Sequence, residues 1–112
     1  MPTALSTAYG DSPGTNGRKV SVPSITLDDA FADIAGGVWM LKIDTEGAEG
    51  DILSGASTAT LQRWRNVVLE WHDNLVAGVS DVCRRRLTDA GFRFDSERVH
   101  PWNEGILYCV RA

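Results

Sequence analysis

Apolar residues concentrate in two short runs that alternate little with polar residues. Residues 38–44 read VWMLKID and residues 66–72 read NVVLEWH, and each run closes on a polar side chain. A continuous apolar run favours a strand buried on both faces, which is typical of parallel sheets. We therefore predict two buried, parallel strands that carry Asp44 and His72 at their carboxyl ends.

Helical periodicity marks the segments around these two strands. An apolar stripe at i, i+3, i+4, i+7 and i+8 follows a hydroxyl cap at Thr26 and predicts a helix over residues 27–35, which Gly36-Gly37 ends. Further helices are predicted from about Ala48 to Gly55, over residues 58–64 and over residues 80–90, the last capped by Ser80 and carrying a solvated run, Arg84-Arg85-Arg86. The inward stripe of this last helix is predicted to be Val79, Val82, Cys83, Leu87 and Ala90. The remaining signals predict strands over residues 92–99 and 106–110, and a hairpin of residues 5–9 with 19–22 around Asn16-Gly17.

This order of elements predicts an α/β fold. A parallel sheet grows by strand–helix–strand units, and the short turn between the last two strands requires them to be antiparallel. The expected sheet is mostly parallel with an antiparallel C-terminal strand. We divide the chain into an N-terminal arm or hairpin, residues 1–17, and an α/β domain, residues 18–112.

Composition narrows the class of protein. The chain has 112 residues, a net charge of -4 and a pI near 5.0, which argues against a nucleic-acid surface. No apolar run is long enough to span a bilayer and the N-terminus lacks a secretory pattern, so we expect a cytoplasmic protein without membrane contact. Cys83 and Cys109 show neither metal-site spacing nor a disulfide framework, and we interpret both as buried apolar side chains.

The acidic residues after the first buried strand form the candidate site. Asp44, Glu46 and Glu49 fall at the junction between this strand and the next helix. Carboxylates this close together need solvent, a cation or a ligand, although acids also favour the positive end of a helix. In the second strand, Glu70 and His72 share a face by the period of two.

Four segments in order resemble the FkbM-type S-adenosylmethionine-dependent methyltransferases. These segments are VPSITLDD (residues 22–29), LKIDTEGAE (residues 41–49), Gly55-Ala56 and LEWH (residues 69–72). The resemblance spans about residues 20–111 and corresponds to the C-terminal half of that domain. It implies a three-layer, partial Rossmann-like fold with the strand order 38–44, 66–72, last strand, 92–99.

The resemblance also implies an activity, namely methyl transfer from S-adenosylmethionine to a hydroxyl of a small molecule. It supports Asp44, Glu46 and Glu49 in one acidic motif and Glu70 with His72 in a second. The glycine-rich turn and the ribose-binding acid that the family carries earlier are not found, so we expect the cofactor site to be incomplete in this chain. Whether the chain is an enzyme is left open; the alternative is a non-catalytic homodimeric binding or scaffold module derived from a methyltransferase domain.

Roles for the site residues follow from their chemistry. We predict Asp44, His72 and Glu46 as catalytic, because an acid beside an imidazole can remove a proton from a hydroxyl. Glu49, Glu70 and Lys42 are predicted to bind substrate, and Lys42 could equally protect a sheet edge. Aspartate, glutamate and histidine could instead hold a divalent cation, and the sequence does not decide between these alternatives.

An uncovered edge strand predicts a partner. In the strand order above, residues 38–44 lie at an edge, and an apolar edge invites pairing with another strand. The N-terminal arm or the same strand of a second copy could cover it. We predict a homodimer with a small-molecule ligand.

Overall fold

The computed structural model describes residues 3–9, 19–36 and 38–111. The strands are β1 (Thr3–Tyr9), β2 (Lys19–Ile25), β3 (Val38–Asp44), β4 (Trp64–His72), β5 (Phe92–His100) and β6 (Glu104–Arg111). The helices are α1 (Leu27–Ala30), α2 (Glu49–Ser54), α3 (Thr58–Leu61) and α4 (Val79–Asp89). The described chain is therefore a mixed α/β structure, as predicted.

The main sheet has the order β3-β4-β6-β5. Strand β3 pairs with β4 in parallel, while β6 is antiparallel to both β4 and β5. This confirms the predicted order. Three of the four strands, β3, β4 and β5, run in one direction. Because β6 lies between β4 and β5, only the β3–β4 pairing in this sheet is parallel. The prediction of a mostly parallel sheet is therefore correct for the directions of the strands and wrong for their pairings.

The helices of the described chain cover one face of this sheet. Side chains that point to this face are buried, among them Ile43, Val67, Leu69 and Leu107, and they pack with Leu53, Leu61, Cys83 and Leu87 of the helices. On the opposite face Met40 is 46% exposed and Tyr108 is 39% exposed. The described elements thus form two layers, not the three that were expected.

The N-terminal hairpin forms a separate two-stranded sheet. Strand β1 pairs with β2 antiparallel, with Thr3 opposite Ile25 and Tyr9 opposite Lys19, so the predicted hairpin is present and longer than expected. The turn predicted at Asn16-Gly17 lies outside the described residues. The hairpin does not pair with β3, which is an edge strand of the described sheet.

Helix α1 is shorter than its apolar stripe predicted. It ends at Ala30, and Ile34 is 47% exposed. The guanidinium of Arg63 donates to the carbonyl oxygens of Phe31, Ile34 and Gly36, which hold a turn in place of further helix. Backbone carbonyls that accept from a side chain need no partner N–H within a helix, so the chain can leave the helix here. Arg63 lies 27 to 32 residues from these carbonyls in the sequence, so the local periodicity of apolar residues cannot predict the contact.

Helix α4 also differs from its prediction in detail. Gly78 precedes it in place of Ser80, and Asp73 accepts hydrogen bonds from the Ser80 backbone N–H at 2.8 Å and from its hydroxyl at 2.6 Å. Val82, predicted to face inward, is 42% exposed. The arginine run is only partly solvated, since Arg86 donates to carbonyl oxygens at the end of α2. These contacts tie α4 to its neighbours through polar groups as well as through the core.

Candidate functional site

The site lies where β3 and β4 end side by side. The two strands are parallel and in register, with Asp44 opposite Glu70 and His72 two residues beyond. Parallel strands deliver their carboxyl ends to one edge of the sheet, where open α/β sheets bind ligands. The two polar termini that the sequence pattern placed at a common edge do lie together.

His72 is held by a buried carboxylate. Glu49 is fully buried and His72 is 5% exposed. One oxygen of Glu49, Oε2, accepts the backbone N–H of His72 at 2.8 Å and lies 3.2 Å from Nδ1 of its ring. An ionised carboxylate is an acceptor only, so Nδ1 carries the proton of this contact. The ring is thereby fixed in one orientation with Nε2 directed away from Glu49.

The turn between β3 and α2 supplies the other partners of Glu49. Its second oxygen, Oε1, accepts the backbone N–H of Gly47 at 3.0 Å and the hydroxyl of Thr45 at 3.2 Å. Gly47 has φ 98°, a conformation that side-chain-bearing residues rarely adopt, and a Cβ there would lie 3.0 Å from Cγ2 of Val76. The chain over residues 45–49 therefore folds back, and the buried carboxylate of Glu49 contacts four hydrogen-bond donors.

An acidic cleft of about 430 Å³ opens beyond His72. It is lined by carboxylates from β3, β4, β6 and the turn after β3, with the imidazole at its base: Asp44, Glu46, Glu70, His72, Asn74, Leu75 and Glu104. No lysine or arginine contributes to this lining in the described part of the chain. Nε2 of His72 faces the cleft, 3.4 Å from Glu70 and 3.8 Å from Glu104.

The predicted site residues separate into three groups. Asp44, Glu46, Glu70 and His72 line the cleft. Glu49 lies behind His72 with both oxygens engaged inside the protein, so it cannot reach a ligand directly. Lys42 is exposed on the open face of the sheet and is not part of the cleft lining.

Sequence reasoning missed Glu104. It lies opposite His72 in the β4–β6 register and lines the cleft. The predicted strand order already made β6 the neighbour of β4, so counting register from that pairing could have found it. Asp73, the residue after His72, accepts two hydrogen bonds from Ser80 and so holds the first turn of α4.

The cysteines take no part in the site. Both are buried and neither is in a disulfide, which confirms the interpretation as apolar side chains. Burial raises the pKa of Cys83 to about 12 and that of Cys109 to about 12 as well, because a thiolate loses its hydration there. Neither thiol is a nucleophile near neutral pH.

Comparison with known proteins finds a matching family model. A family model described as Methyltransferase FkbM domain matches residues 2–94, which is more than half of the chain. The match starts earlier than the segments that carry the resemblance and ends within β5, before β6. No curated protein and no solved structure shows significant similarity to the chain. Within the described residues no helix is long and apolar enough to cross a membrane.

Proposed function

The chain belongs to the FkbM methyltransferase domain family, and we propose that it takes part in methyl transfer from S-adenosylmethionine to a hydroxyl of a small molecule. The observation that carries the proposal is the convergence of Asp44, Glu70 and His72. Their ligand atoms lie within 4.8 Å of one another at the carboxyl ends of two parallel strands. Proton acceptors are thus available where this fold class binds substrates.

The cleft fits part of the cofactor. S-adenosylmethionine supplies a methyl group on a positively charged sulfur, together with an ammonium group and ribose hydroxyls. The carboxylates of Asp44, Glu46, Glu70 and Glu104 suit positive charge and hydroxyl donors. The cleft lining formed by the described residues offers no cationic partner for the cofactor's own carboxylate, so we propose that a second copy of the chain meets this end.

In this proposal, residues of the chain accept the proton that the substrate hydroxyl loses. A hydroxyl must lose its proton as its oxygen is methylated, and among the acceptors of the cleft we assign this role to Asp44 and Nε2 of His72. Glu46, exposed at the rim, is a further acceptor and a ligand for hydroxyl groups. Glu49 acts through His72, whose ring it orients, and is a positioning residue in this scheme.

We also propose that the chain forms a homodimer through β3, giving a sheet that continues across a two-fold axis. Support comes from the position of β3 at the edge of the described sheet and from the exposure of Met40 and Lys42 on it. Light scattering at micromolar concentration is expected to give twice the chain mass, and a monomeric mass contradicts the dimer. A Lys42→Ala variant separates the two roles of this residue, since protection of the edge predicts more association and a site role predicts weaker ligand binding.

Calorimetry tests the proposed function. We expect S-adenosylmethionine and S-adenosylhomocysteine to bind saturably, and Asp44→Ala to abolish binding while far-UV circular dichroism is unchanged. Asp89→Ala is the matched control, an exposed carboxylate at the end of α4 outside the cleft lining. Absence of binding at millimolar ligand refutes the cofactor site and favours the non-catalytic binding or scaffold module.

A further inference from the structure

The ends of β3 and β4 bring a mixed donor set together. Asp44 and Glu70 each offer a carboxylate oxygen and His72 offers Nε2 or Nδ1, with all chosen atoms within 4.8 Å. Two carboxylates and one imidazole match the ligand preferences of divalent first-row metals. We propose that Asp44, Glu70 and His72 bind one such cation in the acidic cleft.

The orientation of His72 is the first argument. Metal-binding histidines almost always donate their second ring N–H to a carboxylate or carbonyl, which fixes the tautomer. Glu49 meets Nδ1 of His72 at 3.2 Å and is itself completely buried. This leaves Nε2 of an imidazole that is 94% buried as the nitrogen directed into the cleft, where Glu70 and Glu104 stand.

The charge distribution is the second argument. With the proton on Nδ1, the lone pair of Nε2 faces anionic oxygens of Glu70 at 3.4 Å and of Glu104 at 3.8 Å. Contact between acceptors is unfavourable unless a second proton on the ring or a metal cation lies between them, and the Mn²⁺ titration below separates these two cases. The lining of the cleft in the described chain contains carboxylates and no lysine or arginine. A cation bound to Nε2 and the carboxylates converts this repulsion into attraction.

The distances suit a small cation. At metal–ligand bonds of about 2.1 Å, adjacent ligands of an octahedral ion lie ~3 Å apart and opposite ligands ~4.2 Å apart. The Nε2 to Glu70 separation of 3.4 Å is near the first value. Asp44 is the last residue of β3 and its side chain is exposed, so rotation of that side chain can shorten the longer separations within this group. The imidazole suits Fe²⁺ or Zn²⁺, and the two carboxylates suit Mn²⁺.

The cation would change the assignment of roles in the proposed methyl transfer, and this consequence rests on that proposal. A hydroxyl bound to a divalent cation loses its proton more readily. His72 is then a ligand, and the proton passes to Glu46, an exposed carboxylate in the cleft lining.

Titration of the chelator-treated chain with Mn²⁺, in the absence of S-adenosylmethionine, tests the site. We expect one saturable binding event by calorimetry and by loss of the free-ion signal in electron paramagnetic resonance. Asp44→Asn and Glu70→Gln each weaken binding at least tenfold, while Asp89→Asn binds as the unmodified chain does. With Zn²⁺ in place of Mn²⁺, the ring resonances of His72 shift in proportion to the bound fraction, and far-UV circular dichroism verifies that each variant is folded.

Two results overturn the inference. One is the absence of saturable binding at millimolar Mn²⁺, and the other is equal affinity in the unmodified chain, Asp44→Asn and Glu70→Gln. Cofactor binding is measured separately in the presence of chelator, so the metal site can fail while S-adenosylmethionine still binds. Conversely, Mn²⁺ binding without any cofactor binding supports the metal site and refutes the proposed methyl transfer.

Discussion

Replacing Glu49 with glutamine tests whether its buried carboxylate organises the site. The substitution keeps the shape of the side chain but turns one of its two oxygens into an NH₂ donor. In the folded chain one oxygen accepts from the backbone N–H of Gly47 and the other from the backbone N–H of His72. Whichever way the amide turns, one of these two backbone donors loses its acceptor.

The structure sets the size of the effect. A buried donor left without an acceptor costs about 1–3 kcal/mol. The hydroxyl of Thr45 can rotate and Nδ1 of His72 can change its tautomer, so these two contacts can adapt to an amide, whereas a backbone N–H cannot. We therefore expect Glu49→Gln to lower the free energy of unfolding by about 2 kcal/mol. At an m-value of roughly 1.5 kcal/mol/M, the urea midpoint falls by about 1.3 M.

Urea unfolding followed by tryptophan fluorescence measures this change, and Glu46→Gln is the matched control. Glu46 is exposed at the rim of the same cleft, so its substitution is expected to change stability by less than about 0.5 kcal/mol. The reasoning is refuted if Glu49→Gln unfolds within about 0.5 kcal/mol of the unmodified chain, because the carboxylate is then not the partner that both backbone donors require.

Three further predictions concern other parts of the fold. Gly105→Ala is expected to destabilise the chain by about 1–3 kcal/mol, since a Cβ there lies 2.6 Å from the ring of Trp71; an unchanged melting temperature contradicts this. The thiols of Cys83 and Cys109, whose pKa values burial raises to about 12, should resist an aromatic disulfide reagent at pH 8 until urea unfolds the chain, and fast labelling without denaturant contradicts their burial. The backbone N–H of Ser57, at the start of α3, holds the pKa of Asp28 below its ordinary value. The ionised carboxylate therefore stabilises the fold above its ordinary pKa, and this stabilisation is lost as the pH falls through the lowered pKa. The stability difference between the unmodified chain and Asp28→Asn should shrink between pH 5 and pH 3, and a constant difference contradicts this.

The convergence of the candidate site could be predicted because it depends on strand direction alone. Two apolar runs that each end on polar residues must place those ends together if the strands are parallel neighbours, and the register of Asp44 with Glu70 confirms this. The order of strands was also predictable, but from resemblance to a family and not from any local pattern. Glu104 was within reach of the same argument once β6 was placed beside β4.

The remaining details depend on contacts between residues far apart in the chain. The apolar stripe that predicted a helix to residue 35 competes with the guanidinium of Arg63, which binds the carbonyls beyond Ala30. From the sequence, Glu49 could equally be an acid that stabilises the start of a helix or an acid that binds a ligand. Its hydrogen bonds to His72 show a third role, which is to hold the imidazole. Periodicity reports which side chains are apolar, and it carries no information about which distant polar group will meet a backbone carbonyl.

Amide chemical shifts measured during a titration with S-adenosylhomocysteine test the central claim most directly. If the acidic cleft is the cofactor and substrate site, the largest shifts occur in the turn after Asp44, at His72 and its following loop, and at Glu104, and they saturate together. Shifts that are absent at millimolar ligand, or that concentrate on the helical face around α4, contradict the account.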